Sequence, residues 1–95
     1  MEVSNEIIEE ITQNIIDYKR TLNDDKDLDD VEISHKKLDK KIEITNKLIE
    51  LSSERADIRK SLGFDLYMLY FGLTEALMDE NYERAMIYKD EINRL

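Results

Sequence analysis

The stretch that decides the fold is residues 64–78, FDLYMLYFGLTEALM, the most apolar run of the chain. Wound into an α-helix, this run carries apolar side chains on nearly every face, which is typical of a helix buried on all sides. A chain of 95 residues buries only about 60–65% of its unfolded surface, so its own core is thin. We therefore expect a homo-oligomer, most simply a two-fold dimer, that helps to cover this helix.

The predicted interface between the copies lies on this same helix. Gly72 has no side chain, which would let another backbone approach the helix closely. The expected interface residues are Leu66, Leu69, Phe71, Gly72 and Leu73.

The composition of the whole chain favours a small helical bundle. There is no Pro and there are only two Gly, so the many tight turns of a β-sandwich or barrel are not expected. Charged residues make up 39% and apolar residues 41%, a mixture typical of solvated amphipathic helices. We predict one all-α domain over residues 1–95, with an N-terminal helix, a long central helix and a C-terminal helical hairpin.

The first two predicted helices flank an acidic linker. Residues 1–22 hold a helix that begins near Val3 with Ser4 as its N-cap, because its apolar residues follow the helical spacing of three and four. Residues 23–31 form the linker, since short polar side chains compete with the backbone for hydrogen bonds. The long helix spans residues 32–62, and its two apolar stripes predict contact with more than one neighbour. The stripes run through Leu38, Ile42, Thr45, Ile49, Ser52 and Ala56, and through Ile44, Leu48, Leu51, Ile58 and Leu62.

A helix stop and restart is predicted around Gly63. Gly63 suits the left-handed position after a helix, Phe64 can fold back on Ile58, and Asp65 can cap the next helix. The alternative is a helix that continues through Gly63, at a cost of about 1 kcal/mol relative to Ala. Residues 79–81 then form the turn of the hairpin, with Asn81 as the N-cap of a last helix over residues 82–95.

Charge is spread unevenly along the chain. The formal net charge of −9 divides into −8 over residues 1–32, +3 over residues 33–61 and −4 over residues 62–95. The first and middle segments should therefore attract each other, or attract a neighbouring subunit. Direct binding to nucleic acid or to an anionic membrane is not expected, because both need Lys and Arg. No apolar run reaches the roughly 18–20 residues of a membrane span, and an acidic N-terminus argues against a signal peptide, so we expect a cytoplasmic protein.

No arrangement of residues predicts catalysis, a cofactor or a metal site. The chain has no Cys, which excludes disulfides, thiolate zinc sites and a cysteine nucleophile. The spacing of Asp25, Asp27 and Asp29 resembles the start of a calcium loop, but Asp30 and Lys36 stand where such a loop needs Gly and Glu. His35 is the single histidine and lacks enough strong ligands nearby for a metal. We therefore expect a non-enzymatic protein without a cofactor.

The C-terminal quarter of the chain carries the most specific pattern. Residues 82–85, Tyr-Glu-Arg-Ala, and residues 89–95, Lys-Asp-Glu-Ile-Asn-Arg-Leu, resemble the UVR motif, the helical hairpin named after the UvrB and UvrC excision-repair proteins. Two positions depart from that motif, because Met86 replaces the usual second Ala and Tyr88 replaces the usual Leu. The resemblance implies a hairpin that docks on another hairpin without catalysis of its own.

The expected function is thus protein–protein interaction, as an adaptor or regulator that binds another protein through helical hairpin packing. The predicted binding ridge is apolar with charges at its rim, and its residues are Tyr82, Arg84, Ala85, Met86, Tyr88, Lys89, Asp90 and Ile92. The alternative is a small acidic inhibitor that mimics nucleic acid, such as a phage counter-defence protein, with the carboxylates of residues 1–32 in place of phosphates.

Overall fold

The protein is described by a computed structural model that covers residues 2–24, 29–53, 57 and 60–94. Within these residues the chain forms four helices and no strand, which confirms the predicted all-α bundle. The helices are α1 (Asn5–Asp24), α2 (Asp30–Ser52), α3 (Phe64–Met78) and α4 (Tyr82–Asn93).

The helices form two antiparallel hairpins, α1–α2 and α3–α4. In the first hairpin the Glu2 N–H donates to the Ser52 carbonyl, and further along the Glu10 carboxylate lies 3.8 Å from Lys47 Nζ. This ion pair joins the acidic first segment to the basic middle segment, as the charge pattern predicts. The second hairpin packs on the first through α3, which contacts α1, α2 and α4.

The core surrounds the second half of α3. Tyr70, Leu73 and Leu77 are almost completely buried there, because each of the other helices turns its apolar stripe toward them. The predicted burial is therefore found in this half of α3, although Phe71 stays partly accessible. The other helices contribute Val3, Ile8, Ile11, Ile15, Ile44, Leu48, Ile49, Ala85 and Ile92 to the same core.

A buried polar seam joins α2 to α3. The Ser52 and Tyr70 hydroxyls lie 2.6 Å apart, and the Thr45 hydroxyl donates to the Thr74 hydroxyl at 3.0 Å. Burial raises the pKa of Tyr70, and the hydrogen bond to Ser52 opposes that rise. A buried hydroxyl without a partner costs about 1–3 kcal/mol. Ser52 and Thr45 also bond to carbonyls of their own helix, so it is mainly the Tyr70 hydroxyl, with Ser52 as its partner, that favours one register of α2 on α3.

The N-terminus is held against the last helix. The Asn93 side chain accepts a hydrogen bond from the Val3 N–H at 2.7 Å and donates one to the Val3 carbonyl at 3.1 Å. Next to it, Lys89 Nζ donates to the Asn5 side chain at 2.8 Å. At the start of α1 the Ser4 hydroxyl accepts from the Ile7 N–H, which agrees with its predicted role as N-cap.

The long helix ends earlier than predicted. α2 stops at Ser52 because Ser53 has extended backbone angles, whereas the apolar pattern predicted helix to residue 62. Serine side chains bond to nearby backbone and weaken the end of a helix, and Ser52 does so by bonding to the Ile49 carbonyl. The predicted seam position Ala56 and the predicted contact of Phe64 with Ile58 lie outside the described residues.

The predicted break at Gly63 is confirmed, but its geometry differs from the prediction. Gly63 has φ −73° and ψ 161°, which is extended backbone at the N-cap of α3 rather than a left-handed turn. Asp65 lies in the first turn of α3 instead of capping it, and Phe64 points into solvent with 76% of its surface exposed.

The first half of α3 is much less covered than the second. Met68 is exposed, and Leu66, Tyr67 and Leu69 are only partly buried. Within one copy of the chain, the burial predicted for all of residues 64–78 is thus found mainly in the second half of the helix.

The contrast between buried and exposed positions predicts two different mutational costs. Leu73→Ala removes a fully buried side chain and should lower the free energy of unfolding by about 2–5 kcal/mol. Ile16→Ala, at an exposed position of α1, should change it by less than about 1 kcal/mol. Denaturant titration of both variants measures the difference, and equal costs would show that α3 is not the centre of the core.

Candidate partner-binding surface on the C-terminal hairpin

The turn between α3 and α4 is held by both backbone and side-chain hydrogen bonds. The Asn81 N–H donates to the Ala76 carbonyl at 2.8 Å, and the Asn81 side chain accepts from the Arg84 N–H at 3.2 Å. Asn81 is therefore the N-cap of α4, as predicted. Glu80 has φ 60°, a left-handed conformation that is costly for a residue other than Gly, and its carboxylate pairs with Lys19 of α1 at 3.2 Å.

Half of the predicted binding ridge belongs to the protein's own core. Ala85 and Ile92 are completely buried, and Met86 and Tyr88 pack against the core as partly buried residues. Because α4 is a short helix on top of α3, its apolar face is used to close the hairpin. These four side chains hold the α4 surface in place and present little area to a partner.

Gly72 and Tyr88 fit together across the hairpin. A Cβ atom added at Gly72 would lie 2.6 Å from Cζ of the Tyr88 ring, so the missing side chain leaves room for that ring. The predicted close approach at Gly72 is thus made by an aromatic ring of the same chain and not by a backbone from another copy. Leu73, which was predicted to lie in the same interface between copies, is fully buried inside the chain.

Arg84 is held in place by the same tyrosine. Its guanidinium lies 5.6 Å from the Tyr88 ring centroid, and it donates a hydrogen bond to the Tyr88 hydroxyl at 3.3 Å. This contact between residues one helical turn apart limits the rotamers of an exposed arginine. Less side-chain entropy is then lost when Arg84 binds a partner.

The exposed side of α4 carries a residue that the sequence pattern did not single out. Ile87 is 56% exposed, and it shares one stripe of the helix with Glu83, Asp90 and Arg94, all exposed. We call these four residues the α4 outer face. An isoleucine at helical spacing from three charged residues was the available signal, but the predicted ridge did not include it.

The predicted site residues thus divide into two groups. Tyr82 and Arg84 are exposed and border the α4 outer face, and the exposed Asp90 belongs to it. Lys89 is partly buried and donates a hydrogen bond to Asn5. Of the residues predicted to join two copies, Leu66, Leu69 and Phe71 remain partly accessible.

The described residues show no site for a metal. No group of three or more His, Asp or Glu side chains among them is placed to hold an ion. Asp29 caps α2 by accepting from the Glu32 N–H at 2.8 Å, while Asp25 and Asp27 lie outside the described residues. His35 is exposed and borders an open depression on α2 together with Asp30, Val31, Ser34 and Leu38. None of the helices that the structure describes has the length and apolarity needed to cross a bilayer.

Comparison of the chain with protein-family models, with curated proteins and with solved structures finds no match. The resemblance of the C-terminal quarter to the UVR motif accordingly stays a prediction from the sequence.

The fit between Gly72 and Tyr88 predicts a strong coupling between the two positions. In the natural chain Gly72→Ala should destabilise the fold by about 1–3 kcal/mol, because the new methyl group overlaps the Tyr88 ring. In a Tyr88→Leu background the same change should stabilise it by up to about 1 kcal/mol, since Ala favours helix over Gly. Thermal or denaturant unfolding of the natural chain, the two single variants and the double variant gives the double-mutant cycle that measures this coupling. An equal effect of Gly72→Ala in both backgrounds would refute the fit.

Proposed function

We propose that the chain is a non-enzymatic protein–protein interaction module, an adaptor or regulator that binds another protein through the α4 outer face. The observation that carries this proposal is the exposure of Ile87 at the centre of a charged stripe. The inner positions of α4 already belong to the protein's own core, and Ile87 is left on the outer side of the hairpin.

The surroundings of Ile87 suit recognition of a protein. Covering an aliphatic side chain contributes about 1.5–3 kcal/mol, and Tyr and Arg are among the residue types that contribute most at interfaces. Tyr82, 48% exposed, and the stacked Arg84 flank the α4 outer face. Glu83, Asp90 and Arg94 would then select a partner by the sign of its charges.

The proposal revises the surface expected from the UVR resemblance but keeps its kind of partner. Tyr82, Arg84 and Asp90 remain, and Ile87 takes the place of Ala85 and Ile92. A straight helical stripe with one apolar residue between charges fits beside another helix or helical hairpin. The partner is therefore a helical protein with an apolar groove and charges of both signs along its edges.

Position-specific crosslinking tests this surface. A photoreactive amino acid replaces Ile87 in one variant and Ile16, an exposed isoleucine on α1, in a matched control. After irradiation in the source cell, position 87 should give one discrete adduct that position 16 does not give. Adding Arg94→Glu should weaken the adduct at position 87 by about tenfold or more, because it reverses a charge on the same stripe.

Two other results would contradict the proposal. The same adducts at positions 16 and 87 would show contacts without a preferred surface. An adduct found only at position 16 and lost in high salt would instead favour the acidic inhibitor, whose carboxylates on α1 would bind a basic partner electrostatically.

A further inference from the structure

One apolar seam of α2 is only half covered. Along α2 the spacing alternates four and three, as at the a and d positions of a coiled coil, through Val31, His35, Leu38, Ile42, Thr45, Ile49 and Ser52. The last three residues are buried. The first four are exposed, Val31 at 64% and Leu38 at 50%. The seam thus continues well beyond the part that the chain itself covers.

The two helices are offset along their axes, and this stagger between α2 and α3 explains why the chain covers only half of the seam. The two helices are antiparallel, with Ser52 beside Tyr70, Thr45 beside Thr74 and Lys41 Nζ 3.7 Å from the Glu75 carboxylate. α3 ends one turn after Glu75, at Met78, so most of the earlier α2 seam has no α3 residue beside it.

The same stagger leaves part of α3 exposed at the opposite end of the pair. Tyr70 already lies beside Ser52, the last residue of α2, so residues 64–69 extend past the end of α2. Phe64 and Met68 are the exposed apolar residues of this part. We call residues 31–42 the α2 overhang and residues 64–69 the α3 overhang.

We infer that a second copy of the chain covers both overhangs, with the α2 overhang of each copy packed against the α3 overhang of the other. Two antiparallel copies related by a two-fold axis bring opposite ends of the molecule together, so both contacts form at once and the assembly closes as a dimer. The contact extends the α2 seam, whose second half α3 already covers within the chain. Phe64 and Met68 of one copy would pack against Val31, Leu38 and Ile42 of the other. This surface does not include the α4 outer face, so the inference is independent of the proposed function.

Charge favours this pairing over one between identical overhangs. The α2 overhang holds four lysines and two acidic residues, whereas the α3 overhang holds Asp65 and no basic residue. Two of the lysines, Lys40 and Lys41, pair with Glu43 and Glu75 of the same chain, and the overhang as a whole still carries more basic than acidic residues. Packing two α2 overhangs together would bring two groups of lysines into contact and would leave both α3 overhangs exposed. Met68 adds a flexible side chain that adapts to the branched residues of the α2 seam.

Cysteine crosslinking distinguishes these arrangements, because the natural chain has no Cys. Leu38→Cys and Met68→Cys chains of different mass are mixed under reducing conditions and then oxidised. We expect mainly the mixed disulfide dimer, with little crosslinking in either variant alone. Ile16→Cys, exposed on α1, replaces Leu38→Cys in the control mixture and should form at least tenfold less of the mixed dimer.

Analytical ultracentrifugation of the natural, cysteine-free protein is the second test, because it measures the mass of the assembly. The natural chain should approach dimer mass as its concentration rises through the micromolar range. Leu38→Glu should weaken dimerisation by at least tenfold while keeping the helical circular dichroism signal, because position 38 is exposed in the single chain. A monomer mass for the natural chain, or disulfides formed mainly between two Leu38→Cys chains, would overturn the inference.

Discussion

The structure depends on the burial of the second half of α3. From Tyr70 to Met78 this helix has apolar side chains on several faces, and water must be excluded from all of them at once. A chain of this size meets that demand by packing α1, α2 and α4 around the helix. The two-hairpin arrangement, the hydrogen bonds that hold Val3 to Asn93 and the close fit of Tyr88 over Gly72 all follow from that need.

The polar seam between α2 and α3 determines how the two hairpins align. Apolar surfaces alone tolerate several registers, but in this one the buried Tyr70 hydroxyl meets Ser52, and the Thr45 and Thr74 hydroxyls meet each other. The register leaves one overhang at each end of the pair. The surface that we assign to a second copy is therefore a consequence of the same hydrogen bonds that order the core.

The sequence predicted the helices well because helical periodicity and capping are local signals. The turn at residues 79–81 and the cap at Asn81 depend on neighbouring residues, and both were recognised. The end of α2 was missed because the apolar stripe runs on past Ser52, and the bond from Ser52 to Tyr70 joins residues that are distant in sequence.

The candidate site was predicted less well, for a related reason. A helical stripe shows which side chains share a face, but not whether the chain itself or a partner covers that face. Ala85 and Ile92 were therefore assigned to a partner although α3 buries them, and Ile87 was passed over although it is exposed. Likewise, Gly72 signalled a close approach, but only the fold shows that Tyr88 makes it.

Hydrogen exchange of individual amides tests the central claim most directly, because it measures the stability of each part of one helix. At low protein concentration the amides of Leu73 to Met78 should be among the slowest in the chain and exchange only through global unfolding. The amides of Met68 and Leu69 should exchange faster through local opening of the uncovered half. Uniform protection along α3, or stronger protection of α1 or α4 than of Leu73 to Met78, would contradict the account.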